Sequence, residues 1–239
     1  TVMKLARIAH VQAGEGHRKL IISRGRGYHG TAYGGTSAQG IAPNRENFGP
    51  FVDDVVQVPA DDIEALATLM AQRGNEVAAI IAEPVQGAGG IFPAADGYLE
   101  GLRKLCDQHG AYLVFDEVIT GFGRLGQWFG AHHYGVTPDF VTFAKGVTSG
   151  YQPLSALLVS DRLAEVITEK GGEFYHGYTY SGHPVACAVA LENLAIIERE
   201  GMIENVRSKT GPYFNKRLKD TVAQHPIVGE ARSFGLMGA

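Results

Sequence analysis

The stretch "AYLVFDEV", residues 111–118, changes from apolar to charged along one short segment. A continuous apolar run of this kind is typical of a strand that is buried on both faces, as the strands of parallel sheets are. Residues 77–84, "VAAIIAEP", repeat the pattern. The two stretches therefore predict two central strands that end in acidic side chains.

Helical and extended patterns alternate on both sides of these strands. Capping residues and apolar stripes predict helices at residues 1–14, 61–74, 96–110, 161–172, 184–200 and 202–219. Apolar runs predict further strands at residues 18–24, 139–146 and 154–160. The alternation indicates an α/β fold with a mostly parallel sheet and helices on both faces. Such sheets bind ligands beyond the carboxyl ends of their strands.

Composition and charge favour a globular protein with small-molecule partners. The 239 residues are 45% hydrophobic and 19% charged, which is enough for a sizeable core, and the formal net charge is only -4. Acidic and basic residues are interspersed, so the chain has no electrostatic footprint for nucleic acid or an anionic membrane. No apolar run approaches a membrane span. Cys106 and Cys187 stand alone, which favours a reduced compartment, and we expect a cytoplasmic protein.

The two ends of the sequence predict that the chain is part of a longer polypeptide. Residue 1 is threonine rather than methionine, although a helical pattern begins there. The last stretch, residues 227–239, has the pattern of a strand that enters further structure. We therefore expect the chain to be a fragment.

Charged side chains mark the ends of three predicted strands. Glu83 ends one strand, Asp116 and Glu117 end the second, and Lys145 ends the third. We expect these groups to meet in one crevice. Lys145 then has two interpretations. It forms a structural ion pair with Asp116, because an unpaired buried charge is costly, or partial burial prepares its amine to form a Schiff base with an aldehyde.

Two other motifs carry weaker signals. The stretch "GFGRLG", residues 121–126, matches the dinucleotide-binding pattern GxGxxG, but two acidic residues precede it and no long helical pattern follows. We interpret these glycines as residues of a loop with special backbone conformations. Four histidines lack the spacing with carboxylates that would predict a metal site: His132, His133, His176 and His183.

Five ordered motifs resemble the class III aminotransferases, which are pyridoxal-phosphate enzymes of the aspartate-aminotransferase fold, fold type I. The motifs are "GYHG" (27–30), "AEPVQGAGG" (82–90), "FDEVITGFGR" (115–124), "FAKGVTSGYQPLSA" (143–156) and "HGYTYSGHPVACAVALENL" (176–194). Within the family, the sequences of these motifs are most similar to those of the ω-amine:pyruvate branch.

The resemblance implies a domain division and a catalytic pair. Residues 1–203 would be the large, cofactor-binding domain and residues 204–239 the start of the small domain. Lys145 matches the lysine to which the cofactor is covalently attached and which, once released, moves a proton between substrate and cofactor. Asp116 matches the aspartate that keeps the pyridine nitrogen protonated.

The resemblance also implies the residues around the ring. Tyr28 matches the aromatic that stacks on one face of the ring, and Val118 matches the aliphatic on the other face. Without the resemblance, Tyr28 would be interpreted as a surface aromatic and Val118 as a core residue. His29 and Gly30 are expected to shape the loop that carries Tyr28.

Four further residues concern the cofactor phosphate, the substrate and the branch of the family. Thr179 matches a hydroxyl that binds the cofactor phosphate of the neighbouring subunit, helped by the backbone beside Tyr178, which implies a homodimer with shared active sites. Glu83 matches a glutamate that pairs with a mobile arginine, and that arginine is expected beyond residue 239. Ile119 stands where many members have glutamine, which favours the amine-specific branch.

The resemblance predicts a transferase of nitrogenous groups that uses pyridoxal 5'-phosphate. In this interpretation an amine or ω-amino acid donates its amino group, and a keto acid such as pyruvate receives it in a ping-pong reaction. Aminomutase and decarboxylase activities are the alternatives within the family. A non-catalytic binding protein, or a truncated chain that is inactive on its own, is the alternative outside it.

Overall fold

A six-stranded sheet forms the centre of the computed structural model, which describes residues 1–171 and 173–239. The strands, in chain order, are β1 Leu20–Arg24, β2 Val55–Val58, β3 Val77–Ala82, β4 Val85–Gln86, β5 Phe92–Pro93, β6 Tyr112–Asp116, β7 Phe140–Phe143, β8 Ala156–Val159, β9 Ser233–Phe234 and β10 Met237–Gly238. The sheet order is β2, β1, β3, β6, β7, β8, and only β8 is antiparallel to its neighbour. The predicted mostly parallel sheet is confirmed.

Helices connect these strands along the chain. They are α1 Val2–Gln12, α2 Tyr33–Ala38, α3 Ile63–Arg73, α4 Tyr98–His109, α5 Gly130–Tyr134, α6 Asp161–Glu165, α7 Pro184–Arg199, α8 Met202–Asn205 and α9 Gly211–Arg217. Three of them continue into π-helical turns at Val166–Lys170, Val206–Thr210 and Leu218–Val222. No helix in the described part of the chain is long and apolar enough to cross a membrane.

Helices cover both faces of the sheet. Successive side chains of a strand point to opposite sides, so neighbouring residues of one strand pack in different cores. Leu20 and Ile22 of β1 belong to a core cluster that includes buried residues of α3 and α4. Ile21, which lies between them, belongs to a second cluster with buried residues of α1 and α6. The apolar runs in the sequence are therefore strands with two buried faces, as predicted.

Local sequence signals place the ends of the helices. The Asp62 carboxylate accepts a hydrogen bond of 2.9 Å from the backbone nitrogen of Ala65 and caps α3. Helix α4 is followed by Gly110, whose φ of +73° is in the left-handed region that glycine adopts without steric cost. Thr1 makes no side-chain capping bond to α1.

The structure differs from the sequence predictions mainly at one edge strand of the sheet and at the ends of two helices. Strand β2 was not predicted, because its four residues are too short a run and are mostly incompletely buried at the sheet edge. The helix predicted at 161–172 is α-helical only to Glu165, and residue 172 lies outside the described residues. The helix predicted at 202–219 consists of α8 and α9 with a π-helical turn between them.

Helix α4 should be held to the sheet mainly by buried apolar side chains. Leu102 is fully buried in the cluster that contains β1 and β3. We predict that Leu102→Ala lowers the free energy of unfolding of the full-length protein by about 2–5 kcal/mol, since it removes apolar contact and leaves a cavity. Urea unfolding measures the change.

The exposed residue Lys104 on the same helix provides the control. Lys104→Ala should change the free energy of unfolding by less than about 0.5 kcal/mol. Equal losses in the two variants would contradict this account of the core.

Candidate active site

Three neighbouring strand ends form one edge of the sheet. Strands β3, β6 and β7 are parallel neighbours, and Asp116 pairs in register with Thr142. Glu83 directly follows β3, Asp116 is the last residue of β6, and Lys145 begins the turn after β7. The three strands end at one edge of the sheet, as predicted, and the meeting of their charged side chains in one crevice stays a prediction.

The Asp116 carboxylate is held by two donors. His29 Nδ1 lies 2.9 Å from Asp116 Oδ2, and the backbone nitrogen of Val118 donates to Asp116 Oδ1 at 3.2 Å. The Asp116 side chain is 13% exposed and the His29 side chain 5% exposed. Because a carboxylate only accepts hydrogen bonds, the proton on His29 Nδ1 faces Asp116.

His29 is buried beside negative charge. Burial by itself lowers the pKa of His29, but the hydrogen bond and charge of Asp116, together with the charge of Glu83, outweigh burial and raise that pKa above 6.5. His29 Nε2 is buried and has no hydrogen-bond partner in the described part of the chain. His29 and Asp116 therefore form a buried hydrogen-bonded pair in which the second ring nitrogen of His29 has no partner among the described residues.

Glu83 joins two loops by its side chain. Its Oε1 accepts from the backbone nitrogen of Tyr28 and its Oε2 from that of Gly87, both at 2.8 Å. Burial raises the pKa of the Glu83 carboxyl, although the His29 charge and the two amides act in the opposite direction. A Cβ on Gly87 would lie 2.5 Å from Ile119 Cδ1, so the Ile119 side chain would have to move to admit any residue larger than glycine. Glu83 thus fixes the backbone of the loop that carries Tyr28.

Glu117 has a structural role instead. Its side chain accepts hydrogen bonds from Thr120 Oγ1 at 2.7 Å and from the backbone nitrogens of Gly130 at 2.5 Å and Ala131 at 2.7 Å. Burial raises the pKa of the Glu117 carboxyl. Of the two adjacent acidic residues, only Asp116 contacts His29.

Lys145 is not buried, although both of its sequence interpretations assume burial. Its side chain is exposed, and no ion pair joins it to Asp116 among residues 1–171 and 173–239. The predicted burial was wrong because β7 ends at Phe143, two residues earlier. Lys145 has a φ of +44°, a left-handed conformation that costs a non-glycine residue about 1–3 kcal/mol. It lines an open depression of about 570 Å³.

The predicted ring-stacking and phosphate residues lie in two places. Tyr28 and Val118 are half-buried near Asp116, since Tyr28 precedes His29 and the Val118 nitrogen contacts the carboxylate. Thr179 and Tyr178 are exposed, and the Tyr178 hydroxyl lies 3.5 Å from Thr1 Oγ1. The structure does not bring these two residues to Asp116 or Lys145 within this chain.

The segment "GFGRLG" is a loop and not a dinucleotide site. Phe122, Gly123 and Gly126 all have positive φ, at +60°, +92° and +76°. The next helix, α5, begins only at Gly130, so the loop has no helix to receive a pyrophosphate. The conformational interpretation of these glycines is confirmed.

Sequence reasoning missed the bonds that order the site. The hydrogen bond between His29 and Asp116 joins residues 87 positions apart, and the bond from Tyr28 to Glu83 spans 55. No local pattern encodes such pairs. The presence of His29 in the "GYHG" motif was the only signal, and it indicated a loop residue rather than a partner of Asp116.

The fold and the site together define the class of this protein. The chain has the α/β large-domain architecture of pyridoxal-phosphate-dependent transferases of fold type I. The model of the family described as "Aminotransferase class-III" matches residues 1–239, and the chain belongs to that family.

Curated relatives and solved structures support this membership. Putrescine--pyruvate aminotransferase of Pseudomonas aeruginosa is 41% identical, over 100% of this chain and 56% of that protein. Omega-amino acid--pyruvate aminotransferase of Pseudomonas putida is 37% identical, over 100% and 58%. The structure of an (S)-enantioselective omega-transaminase from Thermomicrobium roseum is 42% identical with a TM-score of 0.93, over 99% of this chain and 56% of the other. This chain thus spans little more than half the length of these relatives.

The pairing of His29 with Asp116 should make stability depend on pH. A histidine whose pKa is raised in the folded state stabilises that state fully below its unfolded pKa of about 6.5. This stabilisation is lost as the pH rises through the raised value. We predict that the thermal midpoint of the cofactor-free full-length protein falls over this window, and that His29→Phe removes the step.

His17→Gln is the matched control, because His17 is exposed. This variant should keep the wild-type pH profile. A step that persists unchanged in His29→Phe would assign it to another group.

Proposed function

We propose that the full-length protein is a pyridoxal-phosphate-dependent transaminase that moves an amino group from an amine or ω-amino acid to a keto acid such as pyruvate. The observation that carries the proposal is that Lys145 and the Asp116–His29 pair follow or end adjacent parallel strands at the same edge of the sheet. The names of two relatives, a putrescine--pyruvate and an omega-amino acid--pyruvate aminotransferase, support the donor and acceptor classes.

The residues of the site fit pyridoxal 5'-phosphate. When bound, this group supplies an aldehyde that takes up an amino group and a protonated pyridine ring that draws electrons from the substrate carbon. The site has an exposed amine in Lys145 and a carboxylate in Asp116 that two donors fix in place. One solved relative, an amine transaminase from an uncultivated Pseudomonas species that is 39% identical to this chain, has been solved in a PLP-bound form.

Each residue has a distinct part in this proposal. Asp116 would hold the proton of the ring nitrogen, and the His29 bond would keep its carboxylate correctly oriented. The Lys145 amine would hold the cofactor and, when free, move a proton at the substrate carbon. Tyr28 and Val118 would pack on the two faces of the cofactor ring. The hydrogen bond from the Tyr28 backbone nitrogen to Glu83 would fix the position of the Tyr28 ring relative to the cofactor.

Glu83 has a constraint that bears on its proposed pairing with a mobile arginine. Both of its carboxylate oxygens already accept backbone hydrogen bonds. A carboxylate has about four acceptor positions, so an arginine would share Glu83 with these amides rather than replace them. Burial raises the pKa of Glu83, and an incoming cation would act in the opposite direction by favouring the charged form.

The proposal includes a homodimer with shared active sites. Thr179 is exposed and would donate its hydroxyl to the cofactor phosphate of a neighbouring subunit, with the backbone at Tyr178 beside it. The exposure of Tyr178, at 67%, and of Tyr180, at 80%, suits a surface that a second subunit covers.

Two further parts of the proposal concern organisation. Residues 1–203 would be the large domain and residues 204–239 the start of the small one. The hairpin of β9 and β10 packs against the large domain, since Met237 joins Val85 and Leu125 in one apolar cluster. The cytoplasmic location stays a prediction from the sequence.

The central test is spectroscopic and uses Lys145→Ala. The full-length wild-type protein with pyridoxal phosphate should show a near-visible band that bleaches with a simple arylalkylamine and returns with pyruvate. Lys145→Ala should lose both the band and turnover while its far-UV circular dichroism is unchanged, because no other residue would supply the amine.

Lys104→Ala, an exposed lysine on α4, is the control and should behave as wild type. A band that persists in Lys145→Ala would refute the assignment of this lysine. A wild-type band that does not change when the amine is added would favour an aminomutase, a decarboxylase or a transaminase with another donor. The absence of any band would refute pyridoxal phosphate as the cofactor.

Thr179→Ala tests the cross-subunit phosphate contact. Loss of one hydroxyl bond to a charged group should weaken cofactor retention roughly tenfold, while the dimer persists. Equilibrium dialysis of the cofactor measures retention. Thr221→Ala, an exposed threonine elsewhere, should retain the cofactor as wild type does. Equal retention in the two variants would rule out the role of Thr179.

A further inference from the structure

Asn193 is a polar residue on the packed side of α7. The buried residues of this helix are Ala186, Ala190 and Ile197, and Asn193 continues their stripe at helical spacing. The periodicity favours an apolar side chain at this position, and asparagine is a poorer helix former than leucine. The stability of α7 therefore does not explain the asparagine.

The Asn193 side chain binds the turn that carries Lys145. Asn193 Nδ2 donates to the carbonyl oxygen of Gly146 at 2.9 Å and to that of Val147 at 3.0 Å. Because a carbonyl oxygen only accepts, the amide nitrogen of Asn193 must face the turn. A helix thus holds the two peptide carbonyls that directly follow the lysine.

The turn itself is strained and weakly bonded. Lys145 and Ser149 both have positive φ, at +44° and +52°, which non-glycine residues adopt only when their surroundings enforce it. The hydrogen bonds donated within the turn by the backbone nitrogens of Val147, Thr148 and Ser149 are 3.2–3.3 Å long, at the weak end of the normal range. An outside constraint is needed, and Asn193 supplies one.

We propose that Asn193 is a positioning residue that fixes the backbone conformation of Lys145 and so the direction of its amine. The inference rests on the proposed function. In the step that it affects, the neutral Lys145 nitrogen bonds to the aldehyde carbon of pyridoxal phosphate. The aldehyde oxygen and the two amine protons leave as one water molecule. Asn193 touches neither reactant and acts through the turn.

The test compares attachment with simple binding in the full-length protein. Asn193→Leu removes both donors and suits the apolar stripe of α7. It should slow covalent attachment of pyridoxal phosphate on the order of tenfold, because the amine loses its fixed orientation. The attachment rate is measured as the rate at which the near-visible band appears after pyridoxal phosphate is mixed with the cofactor-free protein. The affinity for pyridoxamine phosphate, which has no aldehyde and needs no lysine attachment, should change less than about twofold.

Two more variants keep the comparison decisive. Glu192→Gln changes an exposed neighbour on α7 and should leave both quantities as in wild type. Asn193→Ser, which is smaller and introduces no clash, should slow attachment and serves if the leucine variant does not fold.

The outcomes separate this inference from the proposed function. Wild-type attachment rates in Asn193→Leu and Asn193→Ser would overturn the positioning role. An equal weakening of pyridoxamine phosphate binding would show a general structural role and overturn it too. Failure of the wild-type protein to form any band would instead refute the proposed function itself.

Discussion

Parallel pairing of β3, β6 and β7 is the constraint on which the site depends. Two apolar clusters, one on each face of the sheet, fix these strands in register. Since parallel strands end at the same edge, the first polar residues after the apolar runs must meet there. Glu83, Asp116 and Lys145 therefore lie at the same edge of the sheet although they come from three separate parts of the chain, and burial of the apolar residues before them is what places them there.

Burial of an acidic side chain at this edge would cost free energy if the carboxylate had no hydrogen-bond donors. Each of the three carboxylates has a different set of donors. Glu83 accepts two backbone amides, Glu117 accepts two amides and a hydroxyl, and Asp116 accepts one amide and His29. Only Asp116 relies on a titratable partner. Under the proposed function, this difference separates Asp116, which would hold a proton on the ring nitrogen, from Glu83 and Glu117, whose hydrogen bonds order loops.

The fold was largely predictable because its signals are local. The apolar runs at 77–84 and 111–118 become β3 and β6, and the Asp62 cap begins α3 where expected. Strand β2 escaped prediction because an edge strand of four residues has too little periodicity. The exposure of Lys145 was not predicted, because the end of β7 depends on the strained turn that follows the strand. Asn193 of α7 holds that turn in part. Contacts between residues so distant in sequence leave no local pattern.

The most direct measurement locates the cofactor on the chain. The full-length protein is loaded with pyridoxal phosphate, reduced with borohydride, digested with trypsin and analysed by mass spectrometry. The account predicts one modified peptide, residues 125–162, because modification of Lys145 blocks cleavage there. A modified peptide that contains a different lysine, or no modified peptide, would contradict it.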